Sequence, residues 1–381
     1  MVEVRNIESR IMKIFEHLHT HPEISWKETE TTEYLKNILV ESGCNVRTFV
    51  DCTGVIGEIG EGKPVVAIRA DMDALWQEVD GKFQANHSCG HDSHMTMVLG
   101  VLLSIKEMAD IPNGTIRFIF QPAEEKGTGA LKMVEENVVD DVDFLYGVHL
   151  RPIQEVRSGM ATPALFHGAA RHITGEVLGE DTHGARPHLG VNAIEIGAEL
   201  VQRLNHIHAD PMIPHSVKFT KFQAGGESAN IIPGNATFSI DLRAQTNDMI
   251  EKLTTSVEDA VKSISDYYHV PINLSLESMM ASAIVDPEAQ EFMADSIRKV
   301  LGEENLVDPV TTTGSEDFHF YTLKKNHIKA SVLGLGCDLK PGLHHPNMSF
   351  DHQMLMPGVQ ILTNTVLETL AHLANSHNLK S

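Results

Sequence analysis

The chain has no long hydrophobic run. Its longest mainly apolar stretch, Met95 to Ile105, falls far short of the roughly 18 residues that suggest a membrane span. From Met1 to Glu16, charged and apolar residues alternate at helical spacing, so the uninterrupted apolar stretch of a signal peptide is missing. The simplest compartment is the cytoplasm. Cysteine is scarce: Cys44, Cys52, Cys89 and Cys337 in 381 residues do not read as a disulfide framework. Positive charge is in short supply. Thirty Lys and Arg against 52 Asp and Glu give a formal charge of −22, which argues against a nucleic-acid partner or an anionic membrane surface. No Gly-x-Ser-x-Gly elbow or Ser-His-Asp arrangement occurs, so a covalent serine mechanism has little support. The zinc-deaminase combination of His-x-Glu with Pro-Cys-x-x-Cys is absent. There is no internal repeat and no low-complexity linker.

The residues that are present are arranged in two rhythms. Over the first 160 residues helical and strand patterns alternate. Ile7, Ile11, Ile14, Phe15 and Leu18 mark a helical face, and Ser25-Trp-Lys-Glu28 reads as a capping box opening a helix to about Ser42. Strands are expected at Val46–Val50, Val55–Ile59, Val65–Ile68, Thr115–Phe120 and Phe144–Val148. Helices are expected at about His94–Met108 and Ala130–Asn137. This order indicates an α/β domain with a largely parallel sheet. The middle of the chain reads strand Arg171–Leu178, helix Asn192–His206, strands Val217–Gln223 and Ala236–Leu242, helix Asp248–Ser265 and strand Val270–Leu276. That βαββαβ order is ferredoxin-like. From about Pro287 the α/β pattern resumes, with a strand near Ser331–Leu335 and a closing helix after Pro357. The expectation is an α/β catalytic domain (1–165 and 281–381) interrupted by an inserted ferredoxin-like α+β lid (166–280).

Twenty-two histidines are a high count, and several fall in clusters that follow expected strands or turns. These are Asp71-Met-Asp73, Cys89-Gly-His91-Asp92-Ser-His94, Glu124-Glu125, His149 and His344-His345. Ligands of an open parallel sheet bind outside the carboxyl ends of its strands, where these residues would converge. A mixture of carboxylate, imidazole and thiolate suits a borderline-soft divalent ion such as Zn²⁺ or Mn²⁺. Each cluster has a bland alternative. Asp73 and Asp92 could be turn or cap residues, His149 a hydrogen-bonded strand-end histidine, Cys89 an inert core thiol, and the Glu pair a solvated face. Coincidence of all of them at one sheet edge favours a metal site. Two adjacent glutamates in an extended segment point in opposite directions, so one can bind metal while the other serves a metal-activated water as general base.

The chain resembles the metal-dependent amidohydrolases of the hippurate-hydrolase and auxin-conjugate-hydrolase type, within the aminoacylase and carboxypeptidase G-like group. The resemblance runs from about His17 to His352. It is carried by His21-Pro-Glu23, Arg69-Ala-Asp-Met-Asp-Ala-Leu75, Cys89-Gly-His-Asp-Ser-His94, Phe120-Gln-Pro-Ala-Glu-Glu125, Gly314-Ser-Glu-Asp-Phe318 and Leu343-His-His-Pro346. It implies that Cys89, His91, Glu125, His149 and His344 bind two divalent ions (Mn, Zn, Co or Ni) and that Glu124 is the general base. It further implies that His183 polarises the scissile carbonyl and that Asn230 and Arg243 hold the substrate carboxylate. The bland reading of Asn230 and Arg243 is that they complete the sheet and turn of the inserted domain. Asp73 matches an aspartate that orients the metal site in related peptidases. Trp76 departs from the pattern, standing where proline is usual.

The expected activity is hydrolysis of the amide bond of a small N-acyl amino acid. The alternatives are a dipeptidase or aminopeptidase acting on a free-amine substrate, and a non-catalytic small-molecule-binding relative. Retention of both Glu124 and Glu125 speaks against the last. The resemblance also implies a homodimer through the inserted domain.

Overall fold

The computed structural model describes residues 2–378, with side chains from 7 to 375. The chain divides into two compact units. The first comprises the residues up to Phe166, Ile284–Thr311 and those from Asp317 onward; the second comprises His167–Ala283 and Thr312–Glu316.

The first unit is built on a seven-stranded sheet. Its order is Asn45–Thr48, Val55–Glu61, Gly114–Gln121, Val65–Asp71, Phe144–Pro152, Lys329–Leu339 and Ala161–Thr162. The four central strands run parallel, and antiparallel partners close both edges. Val65–Asp71 is buried at every position, as a strand covered on both faces must be, and this is why it reads as an apolar run rather than an alternation. The core beneath the sheet joins Ile11, Phe15 and Leu18 of the first helix (Val2–Thr20) to Val98, Leu102, Phe118, Tyr146, Val359 and Leu362. The helix His91–Lys106 is buried throughout except at Ser104 and Lys106.

The second unit is a four-stranded antiparallel sheet in the order His215–Ala224, Asn235–Ala244, Ala169–Leu178, Ile272–Met280. Numbered along the chain this is 2-3-1-4, the ferredoxin-like arrangement. Two helices pack on it, Ala193–Asn205 and Asn247–Tyr268. Asn192 and Thr246 cap them by accepting the N–H groups of Ile194 and Met249. Ile196, Leu200, Leu253 and Val257 pack there with Ile173, Phe238 and Ile240 in a core of their own. The fold is thus an α/β unit with an inserted α+β unit. No helix among the described residues is long and apolar enough to cross a membrane.

Three local expectations are corrected. Ser25-Trp-Lys-Glu28 is not a capping box. The helix runs Thr29–Glu41, and the side chain of Glu28, at its N-cap position, makes no capping bond; Ser25 and Glu28 are engaged elsewhere. The Glu124-Glu125 pair does not lie in an extended segment but in a one-turn 3₁₀ helix, Glu124–Lys126, entered through Ala123 in the left-handed conformation. A hairpin, Leu75–Val79 with Lys82–Asn86, occupies a stretch given no element by the sequence pattern.

Candidate metal centre

Asp71 ends one central strand, His149 lies near the end of the next, and the Glu124 turn follows the strand Gly114–Gln121. Cys89 and His91 stand at the start of the buried helix, and His344 sits in the loop after Lys329–Leu339. All five expected metal ligands therefore belong to the first unit.

Their donor atoms converge. Cys89 Sγ is 3.7 Å from His149 Nε2 and 3.3 Å from His344 Nε2, and His344 Nε2 is 3.4 Å from Glu125 Oε1. His91 Nε2 lies 3.9 Å from Glu125 Oε1 and 4.0 Å from Glu124 Oε2. Two ligand atoms bonded to one tetrahedral zinc at about 2.1 and 2.3 Å stand roughly 3.6 Å apart, so this spacing fits. Cys89-His91-His149 and Cys89-Glu125-His344 are each close enough to hold a metal ion, and the two sets have Cys89 in common. His91 Nε2 is buried without a hydrogen bond, and the buried Glu125 Oε1 meets only His344 Nε2, at 3.4 Å. Leaving such atoms short of partners is costly, and a cation satisfies both.

Each imidazole is aimed by its other nitrogen. His91 Nδ1 bonds Asp73 Oδ1 at 3.2 Å, and His149 Nδ1 donates to the carbonyl of Leu150 at 2.7 Å. Both arrangements turn Nε2 toward the cluster, the usual outer support of a ligating histidine. His94 differs. Its Nδ1 bonds Asp71 Oδ1 at 2.7 Å while its Nε2 accepts the N–H of Leu150, so neither nitrogen is left for a metal. His344 holds φ +63°, with its N–H on the carbonyl of Ser88 and its own carbonyl on Gln77 of the hairpin. The neighbouring His345 accepts the N–H of Asn347 instead.

Charge around the cluster follows from burial set against pairing. Burial alone would raise Asp71, yet the imidazoles of His91 and His94 and the Arg69 guanidinium hold it well below the ordinary range. Burial lowers His149 well below its usual value, helped by His94 and Arg151, so it is neutral and able to ligate. Burial and the Glu125 carboxylate push the Cys89 thiol up. Hydrogen bonds to Cys89 and Glu125 raise His344 to about 10. Without metal the cluster holds protons that a divalent ion must displace.

Sequence reasoning gave no role to the layer beneath. Arg69 donates to Asp71 at 2.7 Å, to Asp317 at 2.8 Å and to Gln121 at 2.9 Å. Gln121 and the N–H of Ala130 also hold Asp317, whose own N–H lies 3.4 Å from Glu124 Oε1. Arg69 and Asp317 lie in the motifs Arg69-Ala-Asp-Met-Asp-Ala-Leu75 and Gly314-Ser-Glu-Asp-Phe318, which is the signal the sequence carries for them. Asp92 bonds His19 at 2.7 Å and the N–H of Ser93, and so acts at the helix start.

His183, Asn230 and Arg243 lie in the second unit. His183 and Asn230 are neighbours: Thr182–His183 pairs with Ile231–Ile232, and Gly184 N–H donates to the Asn230 carbonyl. His183 Nδ1 accepts the N–H of Ala185, so its neutral ring carries the proton on Nε2. Arg243 is half exposed and gives Nε and Nη2 to Asp241.

Together these features define a two-unit α/β protein with a buried cysteine–histidine–carboxylate cluster, and comparison with known proteins gives its family. Residues 67–368 match the model of peptidase family M20/M25/M40, and the chain belongs to that family. It is 30% identical over 368 residues to the N-acetyl-L-cysteine deacetylase of Bacillus subtilis, covering 93% of this chain and 87% of that one. It is 34% identical over 265 residues to the N-acyl-L-amino acid amidohydrolase of Geobacillus stearothermophilus, covering 64% and 71%. The crystal structure of the Bacillus subtilis YXEP protein, described as a dinuclear metal binding peptidase, overlays with a TM-score of 0.78. Its identity is 25%, with 96% of this chain and 99% of that one covered. A Staphylococcus aureus structure overlays at 0.86 with 26% identity, covering 96% and 97%.

Proposed function

We propose that the protein hydrolyses the amide bond of a small N-acyl amino acid at a centre where Cys89, His91, Glu125, His149 and His344 hold two divalent ions and Glu124 is the general base. The observation that carries this reading is the Ala123–Glu125 turn. It sets two carboxylates at almost equal distances from one imidazole, His91, within a cluster of soft and hard donors. The relatives named as deacetylase and amidohydrolase of N-acyl amino acids support the substrate class.

A divalent pair, when bound, polarises a carbonyl and brings the pKa of water toward neutrality. The chain's own residues supply the proton handling. Glu124 takes a proton from the attacking water and returns it to the leaving nitrogen. Asp73 accepts the N–H groups of both Glu124 and Glu125 and also bonds His91, so one carboxylate fixes base and ligand together. His183, with its proton on Nε2, is the donor for the scissile carbonyl. Arg243 offers a fork that matches a carboxylate, with Asp241 orienting it.

Turnover of N-acyl amino acids and free-amine dipeptides by apoprotein reloaded with Mn²⁺, Zn²⁺, Co²⁺ or Ni²⁺ tests the reading. Metal-dependent release of amino acid from the blocked substrates is expected; preference for the dipeptides would replace it with a peptidase. Glu124→Gln should retain both ions and lose on the order of 10²–10⁴-fold in kcat.

A further inference from the structure

Glu28 is fully buried, and no ion pair to it occurs among the described residues. Keeping a carboxyl inside without a cation is unfavourable unless its oxygens are well bonded. Both are: Oε2 accepts the hydroxyl of Thr53 at 2.7 Å, and Oε1 accepts the backbone N–H of Ala123 at 2.9 Å. The side chain of Glu28 thus serves the metal-site turn, while its carbonyl accepts the Thr32 N–H of the helix it precedes.

Ala123 is where that turn begins. It is fully buried and has φ +53° and ψ 41°, a left-handed conformation that glycine adopts freely and that an L side chain resists. Such a conformation persists only where its surroundings enforce it. Here they do so through three consecutive N–H groups: Ala123 donates to Glu28, Glu124 to Asp73 Oδ1 at 3.2 Å, and Glu125 to Asp73 Oδ2 at 3.0 Å. Asp73 is held in turn by the Ser25 hydroxyl at 2.6 Å. The N–H of Ala74 bonds the Glu23 carbonyl, and the Trp26 indole reaches Thr128. The segment Glu23–Glu28 therefore braces both sides of the turn.

We propose that Glu28 is a positioning residue for the general base: its buried carboxyl pins Ala123 in the left-handed conformation that directs Glu124 into the metal centre. The inference rests on the reading of Glu124 as base. It assigns Glu28 no contact with substrate or metal; it acts through the backbone of Ala123.

The test measures kcat, KM and bound metal for Glu28→Ala, Glu28→Gln, the double variant Glu28→Ala/Ala123→Gly, and Glu124→Gln. Glu28→Ala should lower kcat by roughly 10–100-fold, the scale of a small misplacement of a reacting group, with KM and metal content within about twofold. Glu28→Gln keeps an acceptor for the Ala123 N–H and should stay within a few-fold of the parent. The double variant should regain most of the lost kcat, because glycine holds the left-handed turn unaided. A residue that merely fills the core would gain nothing from glycine at position 123. Full activity in Glu28→Ala, or a double variant no better than the single one, overturns the proposal. If Glu28→Ala does not fold, Thr53→Val frees the second carboxyl oxygen and should show a smaller kcat loss that Ala123→Gly reverses; an unchanged kcat there overturns it equally. Near-normal turnover in Glu124→Gln would sink the general-base reading itself. An inactive Glu124→Gln beside a fully active Glu28→Ala would sink only the role given to Glu28.

Discussion

A carboxyl buried away from any cation holds its proton more tightly, and burial raises Glu28 from an ordinary 4.5 to about 7, against the bond from Thr53. In the unfolded chain the same group releases its proton near 4.5. Between those values the folded state binds more protons than the unfolded one, so stability falls as pH rises from about 4.5 to 7. The full effect is at most about 3 kcal/mol. Glu28→Gln cannot ionise, so metal-stripped Glu28→Gln should gain Tm over the parent as pH goes from 5 to 8, by a few degrees. A gap that stays flat across this range would mean Glu28 does not titrate there. Residue identity alone did not reveal this group. Cys89, His91 and His149 were legible because their types, at strand and helix ends, have few other uses in combination. Ser25 and Glu28 matched a local capping rule, and the tertiary structure overrode it by giving their side chains buried donors and acceptors from distant segments. His94 shows the same limit within one motif: spacing made it equivalent to His91, and only the partners of its second nitrogen separate them.

At the scale of the element, the helix His91–Lys106 ties packing to the site, because its first residue is an expected ligand. Gly100 lies at its crossing with the helix Leu355–Asn378; a Cβ there would run into Val359 and come within 3.1 Å of Ile11 Cδ1. Gly100→Val should cost about 1–3 kcal/mol through overpacking and weaken metal retention, since the helix must shift to admit the side chain. Thermal melting and metal analysis of the purified variant check both; an unchanged Tm would show that the crossing can yield. Most elements were readable because buried strands appear as apolar runs and helices repeat with a helical period. This helix was expected to begin at His94 rather than His91 because its first turn buries His91, Asp92, Ser93 and His94, polar residues that carry no apolar periodicity. The hairpin Leu75–Val79/Lys82–Asn86 escaped the pattern because Leu75-Trp-Gln-Glu-Val79 does not alternate apolar with polar residues, and Lys82–Asn86, which does, is only five residues long and turns Phe83 outward. Its turn was written in the sequence all the same, as Asp80-Gly81, both with positive φ.

At the scale of the whole molecule, two cores imply two sources of cooperativity. One gathers the sheet and helices of the first unit, the other the four strands and two helices of the second. Cys89, His91, Glu125, His149 and His344 all fall in the first. A ligand stabilises what it binds according to how far its concentration exceeds its Kd, by about 2.7 kcal/mol at a hundredfold excess and about 4 at a thousandfold. Calorimetry of the metal-stripped protein should therefore resolve two transitions, one for each core. Adding Mn²⁺ or Zn²⁺ should raise the transition of the first unit and leave that of the second where it was. Cys89→Ser, which removes the donor common to both ligand sets, should shrink the metal-induced rise. A single transition that moves as a whole would mean the two cores unfold as one. A shift confined to the second unit would place the ions outside the cluster and remove the ground for a hydrolytic centre there.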